Sequence, residues 1–143
     1  VPEYAREYIA GLTRPYLLDD IVHIAQSQLA LEQSIQLTSN NILFCDTNLL
    51  VTKIWAQNAF HTVPSFISEH WKPSDYTLHL LMDVDIPWQP DPLREHPHLR
   101  TFLFDKYEAE LKQSGANYKI IKGLGNERFE AATNAVNELV KTK

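Results

Sequence analysis

Short apolar runs alternate with longer stretches of helical periodicity along the chain. Three runs, at 42–45, 77–82 and 118–121, predict buried strands, because near-continuous apolar strands are typical of parallel sheets covered on both faces. Between them, apolar residues spaced along one helix face predict helices over 3–11, 18–38, 49–60, 64–71, 99–113 and from about 127 onward. This alternation predicts an α/β fold.

Polar residues follow each predicted strand. Asp46 follows the first strand, Asp83 and Asp85 follow the second, and the stretch 123–128 follows the third. In open parallel sheets, ligands bind beyond the carboxyl ends of the strands. These residues are therefore candidates for a ligand site.

Composition and charge narrow the possible classes of protein. The chain has 143 residues, of which 44% are hydrophobic and 22% charged, as expected for a single globular domain over 1–143. The net charge of −5 argues against duplex DNA as a partner, but a few local arginines are compatible with a polyphosphate ligand. The single cysteine, Cys45, excludes an internal disulfide and a Cys-rich zinc site. With neither a membrane-length apolar stretch nor a signal-peptide pattern, we expect a cytoplasmic protein without a membrane partner.

Asp46 and Thr47 end the first apolar run, and two interpretations of them stay open. An apolar strand ending in Asp is typical of a Walker B element, whose carboxylate holds the Mg²⁺ of a bound nucleotide. Asp and Thr are also good helix N-caps, and a helix is predicted to follow. The pair alone does not decide between a metal site and a cap.

A long proline-rich segment, 87–100, separates the second strand from the next helix. Loops of this length are often lids or binding loops. Arg94 and Arg100 offer guanidinium groups to phosphate, and Trp88 offers an aromatic face to a flat ligand, above all a cationic one. A rigid surface loop explains the same residues equally well. His96 and His98 do not have the spacing of a zinc site.

Two further segments carry candidate ligand-binding residues. Glu3, Tyr4 and Arg6 lie in a short helical stretch that is either a solvated face or a cluster that recognises ribose hydroxyls. The stretch 123–128 is either a simple strand–helix turn or a backbone that approaches a ligand closely. It is not a Walker A loop, because Gly-Lys-Ser/Thr occurs nowhere among the 143 residues.

Taken in order, four segments resemble the bacterial ribosylnicotinamide kinase family. They are Val1-Pro2-Glu3-Tyr4-Ala5-Arg6-Glu7-Tyr8, Phe44-Cys45-Asp46-Thr47-Asn48, Pro87-Trp88 with Asp91-x-Leu93-Arg94, and Gly123-x-Gly125-x-x-Arg128. This P-loop kinase domain also occurs in bifunctional NAD-salvage proteins, where it follows an adenylyltransferase domain. The resemblance extends over essentially the whole chain. It implies a three-layer parallel sheet and phosphorylation of nicotinamide riboside to nicotinamide mononucleotide, with ATP and Mg²⁺ as cofactors.

The resemblance also implies a role for individual residues. Asp46 would act at the Mg²⁺ and the ribose 5′-hydroxyl, as metal ligand or base, and Trp88 would stack on the pyridinium ring. Glu3, Tyr4, Arg6 and Asp91 would hold the nucleoside. Arg94 and Arg100 would close over the phosphates as part of a lid-like loop at about 86–100. Gly123, Gly125, Asn126 and Arg128 would border the adenine.

The chain departs from the family pattern in two places. Asn48 stands where a second acid is expected. The family's first strand, Walker A loop and first helix, expected before Val1, are not part of this sequence, which leaves a gap at the centre of the predicted sheet. We therefore expect an N-terminal segment outside these residues. The alternatives are a non-catalytic nucleoside sensor or interaction module and a P-loop kinase or ATPase with another substrate; a homo-oligomer and a fused adenylyltransferase domain stay open.

Overall fold

The computed structural model describes residues 1–38, 42–90 and 97–141. These residues form six α-helices and two β-strands, together with short 3₁₀ turns at Pro73–Asp75 and Pro97–Leu99. The helices are α1 (Tyr4–Ala10), α2 (Leu18–Gln36), α3 (Leu49–Phe60), α4 (Ser65–His70), α5 (Arg100–Gln113) and α6 (Asn126–Lys141); the strands are β1 (His79–Met82) and β2 (Tyr118–Ile121). The chain divides into two compact units, Val1–Trp71 and Lys72–Lys143.

The first unit is helical, and α2 is its central element. This helix packs against α1, α3 and α4. Its apolar residues Ile21 and Ile24 are at most 1% exposed. Ile54 of α3 is 2% exposed and Ile67 of α4 is 0% exposed. Removing such side chains from water is the main force that holds helices of this length together, because short helices are marginal on their own. The helices predicted from the apolar periodicity are therefore confirmed in this unit, and the apolar residues named here are buried.

A buried carboxylate fixes the start of α2. Asp20 is 3% exposed and accepts hydrogen bonds from both terminal nitrogens of Arg14, at 2.7 and 3.0 Å. It also accepts one from the Leu17 N–H at 2.7 Å and one from the Tyr8 hydroxyl at 2.8 Å. The Arg14 guanidinium, the Leu17 amide and the Tyr8 hydroxyl hold the pKa of Asp20 far below its usual range. Through this network α1 and the segment after it are attached to α2.

The predicted strand at 42–45 is not a regular strand in the structure. One pair of hydrogen bonds remains: the Val1 nitrogen donates to Phe44 O, and the Asp46 N–H donates to Val1 O at 2.8 Å. This is the pattern of a parallel pair around Cys45. It extends no further because the next residue able to bond to this segment would be Glu3, and α1 begins directly after it at Tyr4, whose N–H donates to the Gln28 side chain at 2.9 Å.

The second unit contains the sheet. β1 and β2 are parallel, with His79 opposite Tyr118 and Met82 opposite Ile121, and α5 connects them. Two of the three predicted strands are thus confirmed, and so is their parallel direction. The described residues are otherwise mostly helical, so the expected three-layer parallel sheet is not formed by them. None of the helices described combines the length and the apolar character that crossing a bilayer requires.

Candidate functional site

The carboxyl ends of β1 and β2 bring together the polar residues that the sequence places there. Asp83 and Asp85 follow β1, and Gly123 and Arg128 follow β2. The Asp83 N–H extends the ladder by donating to Ile121 O at 2.9 Å, so that the two connections leave the sheet side by side. Parallel strands end at the same edge, which is why residues about forty positions apart in sequence meet here.

Asp85 is bonded on both carboxylate oxygens. Oδ2 accepts the backbone N–H of Gly123 at 2.7 Å, and Oδ1 is ion-paired with Nη2 of Arg128. The hydrogen bond from Gly123 is the main cause that lowers the pKa of Asp85, and the Arg128 guanidinium lowers it further. Asp85 is therefore charged at neutral pH and joins both ends of the segment 123–128.

Arg128 is directed inward. Its side chain is 14% exposed; Nε donates to Gly123 O at 2.9 Å, and Nη2 donates to Asp83 O at 3.1 Å as well as to Asp85. Of the residues predicted to border adenine, Gly123, Gly125 and Asn126 form the turn and the first residue of α6, and Arg128 bonds that turn to the end of β1. Nε and Nη2 of Arg128 thus bond to the turn and to the end of β1.

Trp88 and Arg100 lie together at the two ends of the proline-rich segment. Arg100 Nη2 donates to Val84 O at 3.1 Å and to Ile86 O at 2.6 Å, and its guanidinium carbon is 5.9 Å from the centre of the Trp88 ring. A planar cation therefore already lies over the indole. Asp91 and Arg94, predicted for the same lid-like loop, are outside the described residues.

Asp46 belongs to the first unit, just before α3. It is exposed, whereas Asn48 is the N-cap of α3: the Asn48 side chain accepts from the Leu50 N–H at 3.0 Å. The capping interpretation of Asp46 is thus wrong, because another residue fills the cap. Thr47, between them, has a φ of +73°, which is rare for a β-branched residue. The chain is turned sharply directly after the Asp46 carboxylate.

The carboxylate of Asp46 fits the chemistry of magnesium. Mg²⁺ prefers oxygen ligands and in nucleotide sites usually takes one or two carboxylates, with waters and phosphate oxygens completing its shell. Within 1–38, 42–90 and 97–141 there is no group of three or more His, Cys, Asp or Glu residues suited to a metal, so these residues offer no all-protein cage. Burial raises the pKa of the neighbouring Cys45 thiol to about 11, so this thiol is protonated at neutral pH.

Glu3, Tyr4 and Arg6 lie at the start of α1 and make local contacts. Glu3 and Arg6 are ion-paired at 3.6 Å. The Tyr4 hydroxyl is 3.2 Å from Nε2 of His23, and its ring is stacked on Tyr8 with the centroids 6.1 Å apart. Glu3 and Tyr4 are half-buried and Arg6 is exposed, and the structure divides them between an ion pair and an aromatic cluster with Tyr8 and His23.

Sequence reasoning missed two sets of interactions. It assigned no site role to Asp20 or Arg14, although the two form a bidentate pair. It placed Asp85 at a strand end without its partners, Gly123 and Arg128. The only sequence signal for either set was an acid at an element boundary, and the partners are supplied by tertiary contacts.

Comparison with known proteins identifies a family. A protein-family model described as an AAA domain matches residues 1–128, which include every candidate residue from Glu3 to Arg128. No curated protein and no solved structure matches the chain. AAA domains are P-loop NTPases, which agrees with the P-loop domain that the resemblance implies. The family model extends over most of the chain, and the chain therefore belongs to the AAA domain family.

Proposed function

We propose that this AAA domain is part of a kinase that transfers the γ-phosphate of ATP, with Mg²⁺, to the 5′-hydroxyl of nicotinamide riboside. The observation that carries the proposal is the family match over residues 1–128, within which all four segments of the ribosylnicotinamide kinase pattern occur in order. The family accounts for the nucleotide. The pattern adds the nucleoside as phosphate acceptor.

Asp46 is the residue we assign to the reacting hydroxyl. In phosphoryl transfer a carboxylate accepts the proton of the attacking hydroxyl or holds the metal ion, and Mg²⁺ bound at such a site neutralises charge on the β- and γ-phosphates. The exposed Asp46 carboxylate is free of the capping role that Asn48 performs. This division of labour between neighbouring residues supports a chemical role for Asp46.

Trp88 supports a cationic ring as part of the substrate. The ring of nicotinamide riboside is flat and positively charged, and the face of an indole attracts such groups. The Arg100 guanidinium, which is also flat and cationic, lies 5.9 Å from the centre of the Trp88 ring. The surroundings of Trp88 therefore accept the same kind of group that the proposed substrate would bring.

The proposal requires a phosphate-binding loop from outside these 143 residues, because they contain no Gly-Lys-Ser/Thr. The segment from Gly123 to Asn126 would then lie beside the adenine. The glycines at 123 and 125 have positive φ values, which bring backbone rather than side chains to the surface of the turn.

The test is a kinase assay on the complete protein that contains this chain, with Mg²⁺-ATP and nicotinamide riboside, and with uridine and adenosine as competing acceptors. We expect a phosphorylated product with nicotinamide riboside. Asp46→Asn should lower kcat by about 10²–10⁴-fold, the usual contribution of a general base. Asp105→Asn, an exposed acid of α5, is the matched control and should keep wild-type turnover.

Other outcomes identify other functions. Normal turnover in Asp46→Asn would contradict the role of Asp46. Hydrolysis of ATP, or transfer to a different acceptor, would contradict nicotinamide riboside as substrate and leave a P-loop ATPase or kinase. Thermal stabilisation by nicotinamide riboside but not by ATP would identify a nucleoside sensor; a ligand at 100 times its Kd adds about 2.7 kcal/mol of stability.

A further inference from the structure

One ion pair joins the two connections that leave the sheet of the second unit. Asp85 lies in the segment after β1, three positions before Trp88, and Arg128 lies in the first turns of α6. Besides this pair, Arg128 bonds two backbone carbonyls, Gly123 O at 2.9 Å and Asp83 O at 3.1 Å. We call this set, Asp83 O, Asp85, Gly123 and Arg128, the strand-end clamp.

The clamp fixes the turn 123–126 from both sides. Asp85 accepts the N–H of Gly123, and Arg128 donates to the C=O of the same residue. Both polar groups of one backbone unit are therefore bonded to one charged pair. Charge-assisted hydrogen bonds are the strong ones in proteins, and planar guanidinium groups impose direction as well as energy. Gly123 has a φ of +97°, which glycine adopts readily, and the clamp bonds both of its backbone polar groups in that conformation.

We infer that Asp85 is a positioning residue that acts through Arg128 and the Gly123 N–H to hold the turn 123–126 in the shape that binds the nucleotide. This inference rests on the proposed function in one respect, that the turn contacts ATP. Asp85 itself has both oxygens bonded to protein groups, so it shapes the turn without touching the ligand.

The sharpest variant is Asp85→Asn. Its single amide oxygen still accepts from Gly123, but its amide nitrogen faces the Arg128 guanidinium, donor against donor. Asp85→Glu keeps the charge on a longer side chain and is the conservative rescue. Asp105→Asn removes an exposed charge from α5 and is the matched control. All are made in the complete protein.

Three measurements are made on each variant: amide hydrogen exchange across 118–130, ATP affinity by calorimetry, and KM and kcat from steady-state kinetics. For Asp85→Asn we expect faster exchange at Gly123 and neighbouring amides. The Kd and KM for ATP should rise about tenfold, which corresponds to the loss of one charge-assisted hydrogen bond. The value of kcat should change less than about twofold, because no reacting group is touched. Asp85→Glu should restore part of the affinity.

The outcomes separate this inference from the proposed function. Unchanged exchange in Asp85→Asn overturns the clamp. Faster exchange with unchanged ATP affinity also overturns the inference, because the clamp is then structural only. A wild-type protein that binds ATP but does not phosphorylate nicotinamide riboside refutes the proposed substrate, while exchange and affinity still decide the role of Asp85. A wild-type protein that binds no ATP refutes both.

Discussion

Alanine substitutions at three glycines separate the two ways in which a side chain would destabilise the β2–α6 turn, namely backbone strain and crowding. Gly123 has a φ of +97°, and a Cβ on it would lie 3.1 Å from Cβ of Glu127 and 3.4 Å from the Arg128 nitrogen. Gly115 has a φ of +68°, but a Cβ there meets no heavy atom within 4 Å. Gly11 ends α1 with a right-handed φ of −82°, which any residue adopts. Gly123→Ala therefore introduces both backbone strain and crowding, Gly115→Ala introduces strain alone, and Gly11→Ala introduces neither.

The expected changes in the free energy of unfolding follow from this geometry. A residue with a Cβ costs about 1–2 kcal/mol in a left-handed conformation, which is the loss we expect for Gly115→Ala. Gly123→Ala adds the crowding against Glu127, and forced packing of an extra methyl group typically costs about 1–3 kcal/mol. We expect a total of about 2–5 kcal/mol for Gly123→Ala. Gly11→Ala should instead stabilise α1 by about 0.4–1 kcal/mol, because alanine lowers the entropy of the unfolded chain.

The assay is urea denaturation followed through assigned amide signals, of β2 and α6 for the first two variants and of α1 and α2 for the third. Signals of each unit are needed because two compact units need not unfold together. If Gly123→Ala is no less stable than Gly115→Ala, the crowding argument is refuted. If Gly115→Ala matches the wild-type protein, the strain argument is refuted as well.

Two further predictions concern the N-cap of α3 and the buried histidine of β1. Asn48→Ala should lower the stability of the first unit by about 1 kcal/mol because it removes the cap of α3, whereas Asn48→Asp should keep it; urea denaturation measures both, and equal stability of the two would contradict the cap. His79 is 8% exposed, and burial lowers its pKa, so the folded protein binds this proton less readily than the unfolded chain does. Its contribution to stability is full above the unfolded pKa of about 6.5 and is lost as pH falls from there through the lowered folded pKa. In urea midpoints measured across this window, His79→Gln should flatten the pH dependence of the second unit, and His98→Gln, at an exposed histidine of the same unit, should not. If the two variants show the same dependence of the midpoint on pH, the assignment to His79 is wrong.

Helices were predictable from the sequence because apolar spacing is local information. Ile21, Ile24 and Ala25 are spaced along one face of α2, and all are at most 1% exposed. The same face also buries Gln28, which no hydrophobic pattern predicts. Gln28 is 2% exposed because its side chain bonds both the Tyr4 N–H and the Pro2 carbonyl, at 2.9 and 3.3 Å. A polar residue is buried where a distant segment supplies its partners, and the sequence does not show which segment that is.

The strand predictions are confirmed only where a second strand lies close enough to form a ladder of backbone hydrogen bonds. The apolar runs that became β1 and β2 pair with each other over four residues. The run 42–45 is just as apolar, yet Ile42 and Phe44 are 54% and 60% exposed, and among the described residues it is the backbone of Val1, not a second strand, that bonds to the segment. An apolar run reports that a segment can be buried between strands. It does not report whether a partner strand is within reach, and that condition decides the secondary structure.

The same limit applies to the candidate site, where the position of a residue was predictable and its task was not. Asp46, Thr47 and Asn48 were predicted as one strand-end motif, with Asp46 as either metal ligand or cap. In the structure the cap belongs to Asn48, the residue that departs from the kinase pattern, and Thr47 takes a φ of +73° between them. Strained residues of this kind persist only where their surroundings enforce them, and they concentrate at functional sites. Here the cap on one side and the hydrogen bond from Asp46 N–H to Val1 O on the other hold Thr47 in place. The exposed Asp46 carboxylate is thereby placed at a sharp turn that the Asn48 side-chain cap and the Asp46 backbone hydrogen bond hold in shape, as the chemistry proposed above requires.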